Sequence, residues 1–353
     1  MPLEGLSNSK EWHNKYTQDG LIGKNPVFRK ALEKIAVLAI AEAPVLICGE
    51  TGTGKELFAR AIHYHGSRKG GPFIPVNCGA LPDHIFENEL FGHTKGAFTD
   101  ASFEQKGLIG EAEGGTLFLD EIDALSFAAQ IKLLRFLQDA EFRPLGSSKS
   151  FKANVRVLTA TNKDIQQIVI DKEFRADLFY RISFFSLVIP PLRERLDDIP
   201  ALTDYFIAKT MAPNPKKTSS LSSDCLSKLM GYTWPGNIRE LQGVLQRSLA
   251  FSTSDQIGAY DIDLPFTCHT NDGTDDTFRI AKSKVVKQFE RSYLLNLLAT
   301  YRGNVSKASK AAGKERRSFQ RLLRKYGLQR NVFLRTHSPS HEYNNASGLQ
   351  RDS

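Results

Sequence analysis

The stretch that most restricts the fold is residues 44–64. An apolar run, residues 44–48 (PVLIC), leads into the octet 49–56 (GETGTGKE), and a helical pattern runs from Lys55 to about Tyr64. Glycines at this spacing let backbone N–H groups wrap phosphate oxygens, and the helix N-terminus behind them adds partial positive charge. Lys55 is placed to reach β- and γ-phosphates, with Gly49, Glu50, Thr51, Gly52, Thr53, Gly54 and Glu56 completing the cradle. Strand, loop and helix in this order call for an α/β fold, a parallel sheet flanked by helices.

A second segment, residues 114–123 (GGTLFLDEID), carries Thr116 and three apolar residues into adjacent carboxylates. A buried strand ending this way delivers both acids to the phosphates. Asp120 is expected to hold Mg2+ through water, and Glu121 to polarise the attacking water. Residues 116–119 and 155–159 read as further buried strands. Residues 128–138 read as an amphipathic helix with Ile131, Leu134 and Leu137 on one face. After Pro190 and Pro191 the pattern turns purely helical, over 197–208, 222–230 and 236–250, which marks a smaller helical subdomain.

Charge divides the chain more sharply than hydropathy does. Residues 279–330 carry 15 Lys/Arg against two acids, Glu290 and Glu315. Residues 252–278 carry six Asp and no Lys or Arg. A basic module behind an acidic, Ser/Thr/Gly-rich stretch is the electrostatic footprint of an appended nucleic-acid-binding domain. The expected divisions are a polar leader over 1–20, an α/β ATPase subdomain over 21–190 and a helical lid over 191–251. A flexible linker over 252–278, a DNA-binding domain over 279–328 and a polar tail over 329–353 complete the chain. No apolar run approaches the roughly 20 residues that span a bilayer. Cys48, Cys78, Cys225 and Cys268 are scattered without metal spacing, and read as free thiols of a cytoplasmic protein.

Between the two nucleotide segments lies ELFGHTKGAFTDA, residues 89–101. It resembles the loop with which bacterial enhancer-binding ATPases of the AAA+ class grip the alternative sigma factor, sigma-54. That family's loop reads GAFTGA, and Asp100 stands here in place of its second glycine. The resemblance covers about residues 21–328, and GETGTGKE, with Glu56 where other phosphate loops carry Ser or Thr, is a form this family commonly uses. It implies that Gly96, Ala97, Phe98, Thr99, Asp100 and Ala101 meet sigma-54. Asn77 would sense the nucleotide and orient Glu121, while Thr161 and Asn162 would read the γ-phosphate. Arg175 and Arg181 would reach into a neighbouring subunit's site, and Arg239 would act from the lid.

Residues 303–327 resemble the Fis-type helix-turn-helix that ends most such proteins. Helices are expected over 305–312 and 314–326, with Phe319, Leu322 and Leu323 inward and Arg316, Arg317, Gln320 and Arg321 toward DNA. Val285, Phe289, Tyr293, Leu294 and Leu297 would pack against that hairpin and support dimerisation. The resemblance thus implies an ATP- and Mg2+-dependent hexamer that binds enhancer DNA and opens promoters bound by sigma-54 RNA polymerase holoenzyme. The architecture with a short leader resembles stand-alone activators, which are controlled by a separate regulatory protein or by their abundance. Two other readings stay open on the residues alone. One is an AAA+ remodelling or DNA-processing ATPase that does not act on sigma-54. The other is a DNA-binding regulator with impaired coupling.

Overall fold

A computed structural model describes residues 16–17, 19–80, 82–99, 101–211, 220–252, 256–264 and 303–328, and single positions between 283 and 301. Asp100, Val285, Phe289, Cys268, residues 1–15, the 265–278 part of the expected linker and the 329–353 tail lie outside the described residues. The chain forms two units, divided after Leu264.

The first unit is built on five parallel strands in the order β2-β5-β8-β1-β9. These are β1 (Val45–Cys48), β2 (Phe73–Asn77), β5 (Thr116–Asp120), β8 (Arg156–Thr161) and β9 (Phe185–Val188). The three central strands are almost wholly buried. Both faces of a parallel sheet are covered, so its strands read as continuous apolar runs without alternation. One face packs against α1 (Pro26–Ile40) and α2 (Lys55–Tyr64), burying Phe28, Ile35, Phe58 and Ile62. The other face packs against α3 (Asp83–Phe91), α4 (Phe127–Asp139) and α5 (Ala176–Ile182). Here the structure corrects the sequence reading. Ile131 is 39% exposed, and α4 turns Ala129, Gln130, Leu133, Leu134 and Phe136 inward. Gln130 is recruited because its amide bonds the Leu125 carbonyl and the Arg175 N–H, which an apolar side chain could not satisfy.

Two short hairpins stand out from the sheet. One pairs β3 (Gly92–His93) with β4 (Gln105–Lys106), and the other pairs β6 (Glu141–Phe142) with β7 (Phe151–Lys152). The lid comprises α6 (Ile199–Met211), α7 (Ser223–Met230) and α8 (Asn237–Phe251) around Trp234. It does not stop at residue 251. Strand β10 (Ser220–Leu221) pairs with β11 (Gln256–Ile257), and Ile257 and Ile262 are buried in the lid core. The first part of the expected linker is therefore folded. Six aspartates make 252–278 look soluble, but the two isoleucines decide where its N-terminal part goes.

In the second unit α9 (Val305–Ala311) and α10 (Arg316–Lys325) form a helical hairpin through Gly313, which has φ +60°. Asn304 caps α9 by accepting the Lys307 N–H. Phe319 and Leu323 are buried with Val305, Ala308, Leu294 and Leu298, while Arg316, Arg317 and Arg321 are exposed. Among the described residues no helix is long and apolar enough to cross a membrane.

Candidate active site

Four adjacent strands end on one edge of the sheet, and each delivers one part of the site. Strand β1 runs into the phosphate loop, β2 ends at Asn77, β5 at Asp120 and β8 at Thr161. Register aligns them, with Asn77 opposite Asp120 and Cys48 opposite Thr161. Ligand sites of open α/β sheets lie at this carboxyl edge.

The loop is wound tightly. Gly52 and Gly54 have φ of +79° and +98°, which an L side chain rarely adopts. Buried Thr53 donates to the Glu50 carbonyl at 2.8 Å. Lys55 is also buried, and its Nζ donates to the carbonyls of Gly49 and Glu50 at 2.9 and 3.2 Å. Burial pushes the Lys55 pKa down, and the Asp120 and Glu121 charges oppose that shift. The Glu56 side chain faces solvent. It is exposed on the first turn of α2 and pairs with Arg60 one turn on, at 2.7 Å. A helix position facing solvent favours an i,i+4 ion pair.

Asp120 and Glu121 part company at the strand end. Asp120 Oδ1 accepts the Glu121 N–H at 3.0 Å. Glu121 adopts φ +55°, in the left-handed region, which swings its side chain toward β2. A Cβ on Gly79 would stand 2.6 Å from Glu121 Oε2 and 3.5 Å from Asn77 Oδ1. Asn77 Oδ1 in turn accepts the Gly79 N–H at 2.8 Å. Asn77 and Glu121 side chains therefore both approach Gly79. From β8, Asn162 Nδ2 donates to Thr51 Oγ1 at 2.9 Å and ties that strand end to the loop. Thr161 Oγ1 donates to Asp123 Oδ1 at 2.6 Å, and Lys163 Nζ lies 3.1 Å from Asp123 Oδ2. Sequence reading gave Asp123 and Lys163 no role, because nothing local shows that their side chains meet.

The lid closes on the loop from the other side. Gly52 O accepts the N–H groups of Ile238 and Arg239 at 3.0 and 3.4 Å, so Arg239 sits directly over the loop. Glu50 is gripped by lid residues Arg193 and Asn237, which sequence reading also missed. The only sequence sign of this was a carboxylate in a phosphate-binding loop, where it needs a cation. Arg175 and Arg181 lie elsewhere. Arg175 pairs with Asp177 at 2.7 Å, and Arg181 donates to the Leu137 carbonyl at 2.8 and 3.1 Å. Among the described residues neither shares a hydrogen bond with the phosphate loop.

The 94–101 loop rises from the β3–β4 hairpin. Gly96 N–H donates to Ala101 O, Ala97 N–H to Thr94 O and Ala101 N–H to Phe98 O. Phe98 is 45% exposed, with its ring 5.0 Å from the buried His93 ring, which Asn88 holds at 2.7 Å. The neighbouring turn supports the loop, since Leu145 O accepts the Thr94 N–H and a Cβ on Gly146 would lie 2.7 Å from Ala97 Cβ.

Residues 21–188 match the sigma-54 interaction domain and residues 193–277 the AAA+ ATPase lid domain. The chain is 39% identical over 330 residues to the transcriptional regulatory protein GlrR of Escherichia coli, covering 94% of this chain and 73% of GlrR. It is 38% identical over 331 residues to the regulatory protein AtoC of E. coli, covering 92% and 70%. The crystal structure of NtrX from Brucella abortus in complex with ATP superposes with a TM-score of 0.65 at 28% identity, covering 89% of this chain and 72% of NtrX. With a phosphate loop, paired carboxylates and lid assembled as described, the chain belongs to the family of sigma-54-dependent transcriptional activators and is an AAA+ ATPase.

Proposed function

We propose that this protein binds enhancer DNA, assembles into a ring and uses ATP hydrolysis to convert the closed complex of sigma-54 RNA polymerase into an open one. The observation that carries this reading is the half-exposed Phe98 on the loop between β3 and β4, inside the sigma-54 interaction domain. An exposed aromatic ring on a loop costs solubility and is best accounted for by a partner that covers it. Gly96, Ala97, Phe98, Thr99 and Ala101 form that contact, with Asp100 between them.

Glu121 is the base that takes a proton from the attacking water, and Asn77 orients it. Lys55, the loop N–H groups, Asn162 and Arg239 hold the phosphates. Mg2+ fits the donor set, because a hard cation bound through phosphates needs one or two carboxylates, and Asp120 supplies one at the strand end. When bound, the ion would offset charge on the phosphates. Arg175 and Arg181, which among the described residues share no hydrogen bond with the phosphate loop of their own chain, would complete a neighbour's site. Hydrolysis would then depend on assembly into a closed ring, which leaves no interface unpaired, and the family resemblance points to a hexamer. Arg316, Arg317, Gln320 and Arg321 on α10 are the DNA-facing set, with guanidinium groups suited to guanine edges and phosphates.

The test is formation of heparin-resistant open complexes by sigma-54 holoenzyme on a supercoiled sigma-54 promoter, with ATP and high protein concentration. The reading expects open complexes with wild type, none with Glu121→Ala, and none with Phe98→Ala despite continued hydrolysis. ATP hydrolysis by wild type without open complexes would overturn it. Recovery by Asp100→Gly in that case would assign the defect to the loop.

A further inference from the structure

The lid and the phosphate loop are joined by a set of polar contacts. Arg193 grips Glu50 with two prongs, Nη1 donating to Oε2 and Nη2 to Oε1, both at 2.7 Å. Asn237 Nδ2 donates to Glu50 Oε2 and to the Thr51 carbonyl, each at 3.1 Å, while its Oδ1 accepts the Leu192 N–H at 2.7 Å. Asn237 is fully buried and holds φ +51° at the first position of α8. Gly236 offers no side-chain cap, and the Gly52 carbonyl takes that role by accepting the Ile238 and Arg239 N–H groups. A Cβ on Gly52 would lie 2.3 Å from the Gly236 carbonyl oxygen, so the approach is as close as backbone allows.

Two physical arguments separate this arrangement from ordinary packing. Arg193 and Glu50 side chains are 46% and 39% exposed, and pairs so exposed contribute about 0–1 kcal/mol to folding. The lid is held together by its apolar core around Trp234, not by this pair. In addition, Glu50 puts a carboxylate at the second position of a loop that binds a polyanion. Unpaired, it would repel the nucleotide. Paired with Arg193, its charge is offset by a two-pronged, charge-assisted contact that also fixes direction.

We propose that Arg193, Glu50 and Asn237 are positioning residues that latch the lid to the phosphate loop, so that Arg239 stands over the nucleotide's phosphates and ATP binding is tied to lid closure. The proposal rests on the reading that Arg239 acts on the nucleotide.

The experiment measures KM and kcat for ATP hydrolysis, affinity for a fluorescent ATP analogue and melting temperature on the full chain. Its variants are Arg193→Ala, Arg193→Lys, Arg193→Ala with Glu50→Gln, Arg239→Ala, and Arg193→Ala with Arg239→Ala. Arg193→Ala is expected to raise KM roughly tenfold or more, the scale of a charged hydrogen bond, with little change in melting temperature. Arg193→Lys should recover part of the loss, and so should Glu50→Gln in the Arg193→Ala background by removing the stranded charge. The Arg193→Ala, Arg239→Ala pair should be no worse than Arg239→Ala alone. Wild-type KM and kcat in Arg193→Ala beside a defective Arg239→Ala would overturn the latch alone, as would additive effects in the double variant. A large drop in melting temperature with unchanged KM would make the pair structural. A silent Arg239→Ala would overturn the Arg239 reading and the latch with it.

Discussion

At the scale of single residues, the site depends on one strained position and one missing side chain. Glu121 sits at φ +55°, a conformation that costs a non-glycine residue about 1–3 kcal/mol and persists where surrounding structure over-determines it. Here β5 fixes one side, and the short turn Ile122–Ala124 fixes the other. The strain aims the carboxylate over Gly79. Glu121→Gln should lower kcat by about 10²–10⁴-fold while nucleotide affinity is kept, read by single-turnover hydrolysis beside equilibrium binding. Gly79→Ala is a finer probe. Its Cβ would come to 2.6 Å from Oε2, so the carboxylate must swing away. A kcat loss with melting temperature nearly unchanged is the expected result, and full activity would show that Glu121 does not work from this position. Asp120 and Glu121 were legible in the sequence because they are chain neighbours at the end of an apolar run. Asp123 was not, because its partners Thr161 and Lys163 come from another strand end.

At the scale of elements, the lid is the part whose limits matter most. Trp234 is fully buried, and its Nε1 donates to the Leu229 carbonyl at 2.9 Å. Replacing it with Ala should cost about 3–5 kcal/mol and loosen the lid, which calorimetry would register as an earlier, separate transition. The Glu50 grip gives a pH signature. The Arg193 hydrogen bonds hold the Glu50 pKa below its ordinary 4.5, and the Asn237 bond assists, against the opposing effect of burial. A depressed folded-state value contributes stability that is complete above the unfolded value and is lost as pH falls through the folded one. Because both side chains are more than a third exposed, the melting-temperature gap between wild type and Glu50→Gln should be small, constant above about pH 4.5 and closing below it. A gap that closes only at alkaline pH would contradict the arrangement. Helix α4 shows what periodicity leaves open at this scale. Residues 128–138 were rightly read as helical and amphipathic, yet the buried stripe runs through Gln130 and Leu133, with Ile131 exposed. Which side of a helix meets the sheet depends on the polar groups waiting there.

At the scale of the molecule, the first unit closes at Leu264. A chain ending after residue 251 would lose Ile257 and Ile262 from the lid core, worth about 1.5–3 kcal/mol each. A chain ending after residue 264 keeps them. Thermal melting and ATP turnover should separate the two truncations clearly, the shorter melting lower and hydrolysing less. Equal behaviour would place the lid's end at the sequence-based limit. The sequence by itself determined the class of chemistry and the family. Phosphate loop, paired carboxylates and raised loop are each contiguous strings whose meaning is carried by adjacent residues. The basic C-terminal module was equally plain, because net charge needs no fold to be counted. Tertiary structure alone decided which lid groups meet the phosphate loop, since those contacts join residues 143 and 187 positions apart. It also showed that residues 256–264 of the acidic stretch pack with the lid core and that the Glu56 side chain pairs with Arg60. Burial of apolar side chains sets how the elements pack, and distant polar groups become partners only once that packing has placed them.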